Sequence, residues 1–371
     1  MNNSSCINVL KVIATAMVFF CHSNIVCQET FNYEVHDWYR LFVTPAWGGV
    51  WIFLIISGYL AAFSFYGGKY DLTLGGVINY YKGRIVKILI PTWVFITLEL
   101  FLIYQNKMIG LGEVVSILTC ANYGWDSDGI SCPGVGASWY VFFVMCLYIL
   151  TPLFIVLLNR LESLIKDYDF RFYLVILGAV VFLGAFYRIV TFFYLDWYRW
   201  TYANLLGCMD LFVAGLISFR MNHCLPNISI KLIKKLRYCA TLLCSFLIVA
   251  CLDFGSFFPP YGTLLYMYIW PSAYLILFCS LLVLFAYKTG IVKSSFSNKI
   301  LGFTNILVPY SFAFYLWHSS VLMYVANHVK LVNDDSRFLV TILVGILVTS
   351  YISILMTKMN NGIISSLLKS R

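Results

Sequence analysis

About ten long apolar segments, separated by short polar stretches, run through this chain of 371 residues. A helix needs about 20 consecutive apolar residues to cross a bilayer's hydrocarbon core. Lipid offers no hydrogen bonds, so every backbone N–H and C=O must be satisfied within the fold, and runs of this length do that as helices. The composition agrees: 61% of residues are hydrophobic, only 11% are charged, and the mean hydropathy is +0.84. A soluble domain of this size would need far more polar surface. The expected fold is therefore all-α, a polytopic membrane helix bundle of about ten transmembrane helices. Spans are predicted near residues 7–27, 47–66, 85–104, 138–158, 172–193, 206–221, 238–257, 265–287, 309–330 and 338–357. The first segment is too long for a signal-peptide core and lacks a basic leader and a small-residue cleavage site, so it is read as a helix. No linker or low-complexity tract divides the chain. One integral-membrane domain over 1–371, without an appended soluble domain, is expected.

The net charge of +9 would suit a nucleic-acid binder, but its distribution reports topology instead. With both termini inside, the inner segments carry Lys69, Lys82, Arg84, Lys87, Arg160, Lys166, Arg171, Arg220 and the 231–237 cluster, followed by Lys288, Lys293, Lys299 and Lys358. The outer segments hold only Arg40, Lys107, Arg188, Arg199, Lys330 and Arg337. Such a bias predicts an N-in, C-in protein. The lysine-rich run before the seventh span, KLIKKLR, reads as contact with anionic headgroups. The stretch at 67–84 is rich in glycine and tyrosine, and reads as an inner loop with a short amphipathic or re-entrant helix.

Two ionisable residues sit inside the first span. Lys11 and His22 are eleven positions apart, about 20° past three full turns, which puts them on one helix face ~16.5 Å apart. A lysine at mid-span costs at least ~2.5 kcal/mol, so this face should look into the bundle interior or a water-filled cavity. Each residue also has a plainer reading. Lys11 is near enough to the interface to snorkel, and membrane histidines often serve as helix–helix hydrogen-bonding groups.

Further motifs follow in order. The second span carries GGVWIFLIISGYL, and the next inner loop GRIVKILIP, with Arg84, Lys87 and Pro91. The fourth span, SWYVFFVMCLYILTPLF, contains Trp139, Tyr148 and Pro152, and the ninth, YSFAFYLWHSSVLM, contains Tyr315 and His318. With the basic-x10-His pattern of Lys11 and His22, these five motifs resemble the acyltransferase-3 family of bacterial transmembrane O-acetyltransferases, over essentially the whole chain. Two departures stand out. Members usually have arginine where this chain has Lys11, which keeps the charge but loses the bidentate fork. Many members carry a carboxylate pair where Val144 and Met145 stand here, so no catalytic glutamate is carried over to the fourth span.

The resemblance implies an inner-membrane O-acyltransferase that moves acetyl from cytoplasmic acetyl-CoA to a hydroxyl of an envelope glycan or lipid-linked saccharide. Catalytic roles then fall to His22, Lys11 and His318, and donor binding to Arg84 and Lys87 with Lys82. The chemistry suits these side chains. A phosphate-bearing donor wants cations, and a hydroxyl nucleophile wants a base, for which neutral imidazole serves near neutral pH. His22 is expected to be that base. His318 would orient it, stabilise the oxyanion, or protonate the leaving thiolate. A covalent acyl-imidazole ranks below general-base catalysis. Succinyl in place of acetyl stays open, as does a transporter or flippase for a lipid-linked saccharide, although no internal repeat supports the latter. Membrane lipids are the other expected partner, and nothing suggests a metal site.

The remaining polar residues have structural readings. Ser57 with Gly58 reads as a small-residue packing contact. Glu99, Arg188 and Asp210 read as paired structural charges, while His36, His223 and His328 lie at loops or span ends. Cys120 and Cys132 share the long outer loop, where a disulfide and two unpaired thiols are both open readings. Trp38, Trp125, Trp197 and Trp200, with Asp126 and Asp128, would suit sugar binding in the outer loops, and aromatic belts account for them equally.

Overall fold

The computed structural model describes residues 3–33, 48–103, 139–165, 169–194, 204–224 and 295–369, with isolated positions at 115, 119, 229, 231, 235, 238 and 242. Among these residues there is no strand. The helices are α1 (Asn3–Phe31), α2 (Gly48–Tyr66), α3 (Leu74–Arg84), α4 (Ile90–Ile103), α5 (Trp139–Ser163), α6 (Phe170–Tyr194), α7 (Leu205–Cys224), α8 (Ser295–Leu307), α9 (Ser311–His328) and α10 (Asp334–Lys369). A π-helical turn, Ile85–Leu89, joins α3 to α4, and a 3₁₀ turn, Val308–Tyr310, joins α8 to α9.

Among the described residues, seven helical stretches are long and apolar enough to cross a membrane: Ile7–Phe31, Gly48–Tyr66, Trp139–Ser163, Phe170–Thr191, Leu205–Cys224, Leu301–His328 and Asp334–Ser365. The chain is a multi-pass membrane protein. These seven match the expected spans one, two, four, five, six, nine and ten. The third expected span begins in the π turn and continues as the 14-residue α4. The seventh and eighth, like Cys120, Cys132, His36 and the outer-loop tryptophans, lie outside the described residues apart from Tyr238 and Leu242.

α10 is much longer than the apolar pattern at 338–357 suggests. The side chain of Asn333 accepts the Ser336 N–H at 3.1 Å, and Asp334 and Asp335 occupy the first turn, where the helix dipole favours negative charge. Its 36 residues extend ~54 Å, well beyond a hydrocarbon core of about 30 Å. At the same end of the bundle α1 stops at Asn32, in a left-handed conformation with φ of 51°. Tyr33 then donates to Asp335 at 2.7 Å and stacks on Phe338, with ring centroids 4.6 Å apart. Arg337 closes this end by donating to the Ala326 carbonyl at 2.9 Å, its guanidinium 4.1 Å from the Phe31 ring centre.

The most extensive helix contact among the described elements is between α2 and α7. Glycines make it possible. A Cβ on Gly58 would lie 1.8 Å from the Phe212 carbonyl oxygen, and one on Gly215 would lie 1.9 Å from that of Ile55. The two backbones therefore touch at two points, one glycine from each helix, in the small-residue manner expected of Ser57–Gly58. α2 is buried along most of its length and so forms the centre of the bundle, with α1, α5 and α7 around it.

Arg188 of α6 and Asp210 of α7 form a buried bidentate pair, both oxygens lying 2.6 Å from Nη2, as their reading as paired charges requires. Gly184 leaves the space, since a Cβ there would lie 2.1 Å from the Asp210 carboxylate. At the opposite end to Tyr33, Arg220 makes a second bidentate pair with Glu162, which also accepts from Tyr173 at 2.6 Å.

Replacement of Gly58 by valine should abolish the α2–α7 contact, with a loss beyond the usual ~1–3 kcal/mol of overpacking because backbone is struck. Gly178, where an added Cβ would meet nothing within 4 Å, is the control: Gly178→Ala should be neutral or stabilising by up to ~1 kcal/mol. Thermal unfolding in detergent, followed by size-exclusion of the surviving fraction, distinguishes the two.

Candidate functional site

Two polar centres lie in the bundle, one near each end of the face that Lys11 and His22 share. The first gathers around Arg84. This residue ends α3, which Thr73 starts by accepting the Gly76 N–H at 3.1 Å. The Thr73 hydroxyl and N–H both donate to Asp71, holding that carboxyl below the usual carboxylate range. α3 is thereby fixed at its origin, and its buried Tyr80 is wedged against Phe65 and Tyr148. The Tyr80 hydroxyl donates to Thr151 at 3.2 Å.

The Arg84 guanidinium sits between two of these rings, 4.9 Å from the Tyr80 centroid and 4.4 Å from that of Tyr148, and it donates to Ser64 at 3.2 Å. Ring faces hold it by cation–π attraction. Lys11 lies within electrostatic reach of it. Neither cation is bonded to a carboxylate among the described residues, and Ser64 and the Tyr80 side chain together engage only part of the five guanidinium donors. A centre with surplus positive charge and spare donors is built to receive an anion.

The π turn decides which basic residue faces this centre. Pro91 has no N–H, and in a regular α-helix its ring would clash with the carbonyl of Lys87. The turn widens, so that the Ile90 N–H reaches back to the Ile85 carbonyl. Three α-helical steps would place Arg84 and Lys87 about 60° apart, whereas the smaller rotation per residue of a π turn splays them further. Arg84 consequently enters the bundle while Lys87 is exposed, beside the charge of exposed Lys69. Lys82 is exposed as well. Of the three residues expected to hold a donor, the structure brings Arg84 alone into the interior with Lys11.

The second centre is a pair of histidines. The rings of His22 on α1 and His318 on α9 meet edge to face, 4.8 Å between centroids and 70° between planes. His318 is buried, and its Nδ1 lies 2.5 Å from the Tyr315 carbonyl oxygen. A carbonyl only accepts, so Nδ1 carries the proton and Nε2 presents its lone pair. That Nε2 atom is buried without a hydrogen-bond partner. His22 Nδ1 approaches the Ser319 hydroxyl at 3.5 Å. A neutral His318 in this tautomer accepts protons and donates none from Nε2. Of the roles expected for it, oxyanion stabilisation and thiolate protonation both require it to be charged first.

One face of α5 joins the centres. Tyr140, Val144, Tyr148 and Thr151 recur at helical spacing and are all buried. Tyr140 packs on Tyr315 at 5.6 Å, and its hydroxyl lies 3.4 Å from that of Ser57. Phe53 completes the wall, 6.2 Å from both tyrosine rings. Eight residues on, about 12 Å along the helix, Tyr148 covers Arg84. Val144 stands between, in a stretch of wall that is apolar.

The sequence pattern of the acyltransferase-3 family, described as an acyltransferase domain, matches residues 4–358. The chain belongs to this family, which makes it a membrane acyltransferase. No curated protein and no solved structure matches it.

Sequence reasoning missed Tyr80, Thr151 and Ser64, which set Arg84, and Ser319, which adjoins His22. Tyr80 and Arg84 are four apart in one short helix, a spacing that puts them on a common face. Ser64 and Thr151 carry no comparable signal, because hydroxyls in membrane helices usually bond their own backbone, as both also do here.

Proposed function

We propose that the chain is an O-acyltransferase of the cytoplasmic membrane that moves acetyl from acetyl-CoA to a hydroxyl of an envelope glycan or lipid-linked saccharide. The observation that carries this reading is the separation of a Lys11–Arg84 pair, which has no carboxylate partner among the described residues, from an imidazole pair, with an aromatic wall between them. Phosphates of the donor would rest at the cationic centre and its acyl arm would lie along the α5 face, bringing the thioester to the histidines.

The acceptor hydroxyl then attacks the thioester carbonyl carbon while its proton passes to His22. Ser319 orients His22 at Nδ1, leaving Nε2 for the transfer. As the tetrahedral intermediate collapses, the C–S bond breaks and the CoA thiolate takes the proton back. His318, whose ring meets that of His22 edge to face and whose Nε2 has no hydrogen-bond partner among the described residues, keeps a second acceptor near the first. The acetyl group over other short acyl groups, and the saccharide acceptor, rest on the family's usual chemistry.

The reading also takes the chain as one domain of ten spans, with the basic end of the bundle in the cytoplasm, where acetyl-CoA is made and where the positive-inside rule places it. Thiol-labelling of a cysteine introduced at Arg371 in intact cells checks the orientation, and labelling by a membrane-impermeant reagent would reverse it.

The donor site gives a sharper test, because the structure separates two residues that the sequence pairs. Arg84→Ala should raise the Michaelis constant for acetyl-CoA about tenfold or more, whereas Lys87→Ala should change it less than about threefold. Loss of a charge-assisted contact of about 1.5–3 kcal/mol sets the first figure. Equal effects would mean that the π turn does not sort them.

For the base, His22→Ala should lower acetyl incorporation into membrane glycan by at least ~10²-fold at matched protein levels. His22→Gln should do little better, since an amide holds the Ser319 contact but cannot take a proton. Near-normal transfer by the glutamine variant would move the base to His318.

A further inference from the structure

We infer that Glu99 is a positioning residue for the histidine pair, acting through Ser320. This rests on the proposal that His22 and His318 perform the proton transfer. Glu99 lies on α4 and is 1% exposed. Its carboxylate accepts the Ser320 hydroxyl at 2.5 Å, and one turn earlier on the same face Phe95 meets Trp317 edge-on at 4.9 Å. Packing alone would need only the ring contact. A carboxyl group at this depth costs free energy that an apolar residue would not, so its presence calls for a task.

The task follows from three consecutive residues of α9. His318 is tied to the Tyr315 carbonyl and faces His22, Ser319 approaches His22, and Ser320 is held by Glu99. Successive helical residues turn by about 100°, so His318 and Ser320 leave α9 about 200° apart. α1 and α10 pack along α9 and Glu99 grips it from α4, and together they set the roll of α9 about its own axis. Side chains reach about 5–6 Å from a helix axis, so a roll of about 20° would carry the His318 ring ~2 Å from its place. A misplacement of about 1 Å already costs ~10²-fold in a reaction that depends on alignment.

The hydrogen bond, and not the negative charge, is the working part. Glu99→Gln keeps an acceptor oxygen of the same reach and should retain kcat within about threefold. Glu99→Leu and Ser320→Ala should each lower kcat at least about tenfold, with the Michaelis constant for acetyl-CoA changed less than about threefold. The double variant should be no worse than the poorer single one, because both remove the same contact. Ser320→Ala, which alters little volume, carries the test if Glu99→Leu fails to accumulate in membranes.

The inference is overturned by full activity in Ser320→Ala or Glu99→Leu, by a loss confined to the donor Michaelis constant, or by a glutamine variant as damaged as the leucine one. That last result would assign Glu99 a proton-carrying role instead. His22→Gln and His318→Gln are measured alongside. If both histidine variants lose transfer while Glu99→Leu keeps it, this inference alone fails. If the histidine variants keep transfer, the reading beneath it fails too.

Discussion

The approach of α2 to α7 backbone against backbone is the constraint on which the rest of the bundle depends. In lipid, apolar side chains gain little by leaving one another, so helices associate through close packing and polar contacts. Gly58 and Gly215 allow each helix to lay its backbone against a carbonyl of the other. With α7 seated this deeply, Phe212 reaches Tyr148 and Arg220 reaches Glu162. The wall that Tyr148 lends to Arg84 is therefore supported from behind by a helix that itself contributes nothing to either polar centre.

Polar groups in this fold separate into two kinds by how their bonds are completed. Arg188 with Asp210, and Arg220 with Glu162 and Tyr173, compensate their own charge: each cation meets a carboxylate, although Arg188 Nη1 has no hydrogen-bond partner among the described residues. These pairs hold helices together and leave little net charge for a ligand. Lys11 and Arg84 have no such partner among the described residues, and His318 keeps a buried nitrogen without a hydrogen bond. Unfinished bonding is costly in a low-dielectric interior. Lys11 beside Arg84 and His22 beside His318 also share one face of α1, and the proposed function places its chemistry along that path for this reason.

Much of this is legible in the sequence because hydrophobic runs and isolated intramembrane charges are strong signals. Seven of the expected spans appear, and the register of Lys11 and His22 does carry them to two interior centres. Arg188 and Asp210 pair as charges so placed should. What stays hidden depends on local backbone geometry or on distant contacts. Nothing in Arg84-x2-Lys87 says that one residue turns inward and the other outward, since that follows from a π turn accommodating Pro91. The length of α10 comes from a cap at Asn333, outside the apolar pattern. Glu99 stands out in the sequence as an intramembrane charge, but its hydrogen bond to a serine 221 positions away carries no sequence signal.

The histidine pair also shows why an acyltransferase would be built around an apolar seal. Under the proposed thioester chemistry water is a competing acceptor, so the site would have to admit a bulky hydroxyl while excluding a small one. Beyond the histidines, towards Tyr33, α1 offers Val26 and Cys27 and α9 offers Leu322 and Ala326, all buried and packed with Phe338 and Ile342 of α10. The Tyr33–Asp335 and Arg337–Ala326 bonds hold these three helix ends together over that cluster. Between α1, α9 and α10 the way to the imidazoles is filled with side chains. The side of Phe53, Ser57 and Tyr140 differs from it, since rings and hydroxyls are mixed there. Under the proposed function that mixture would suit a saccharide, which has both apolar faces and polar edges, better than water, which has nothing to stack.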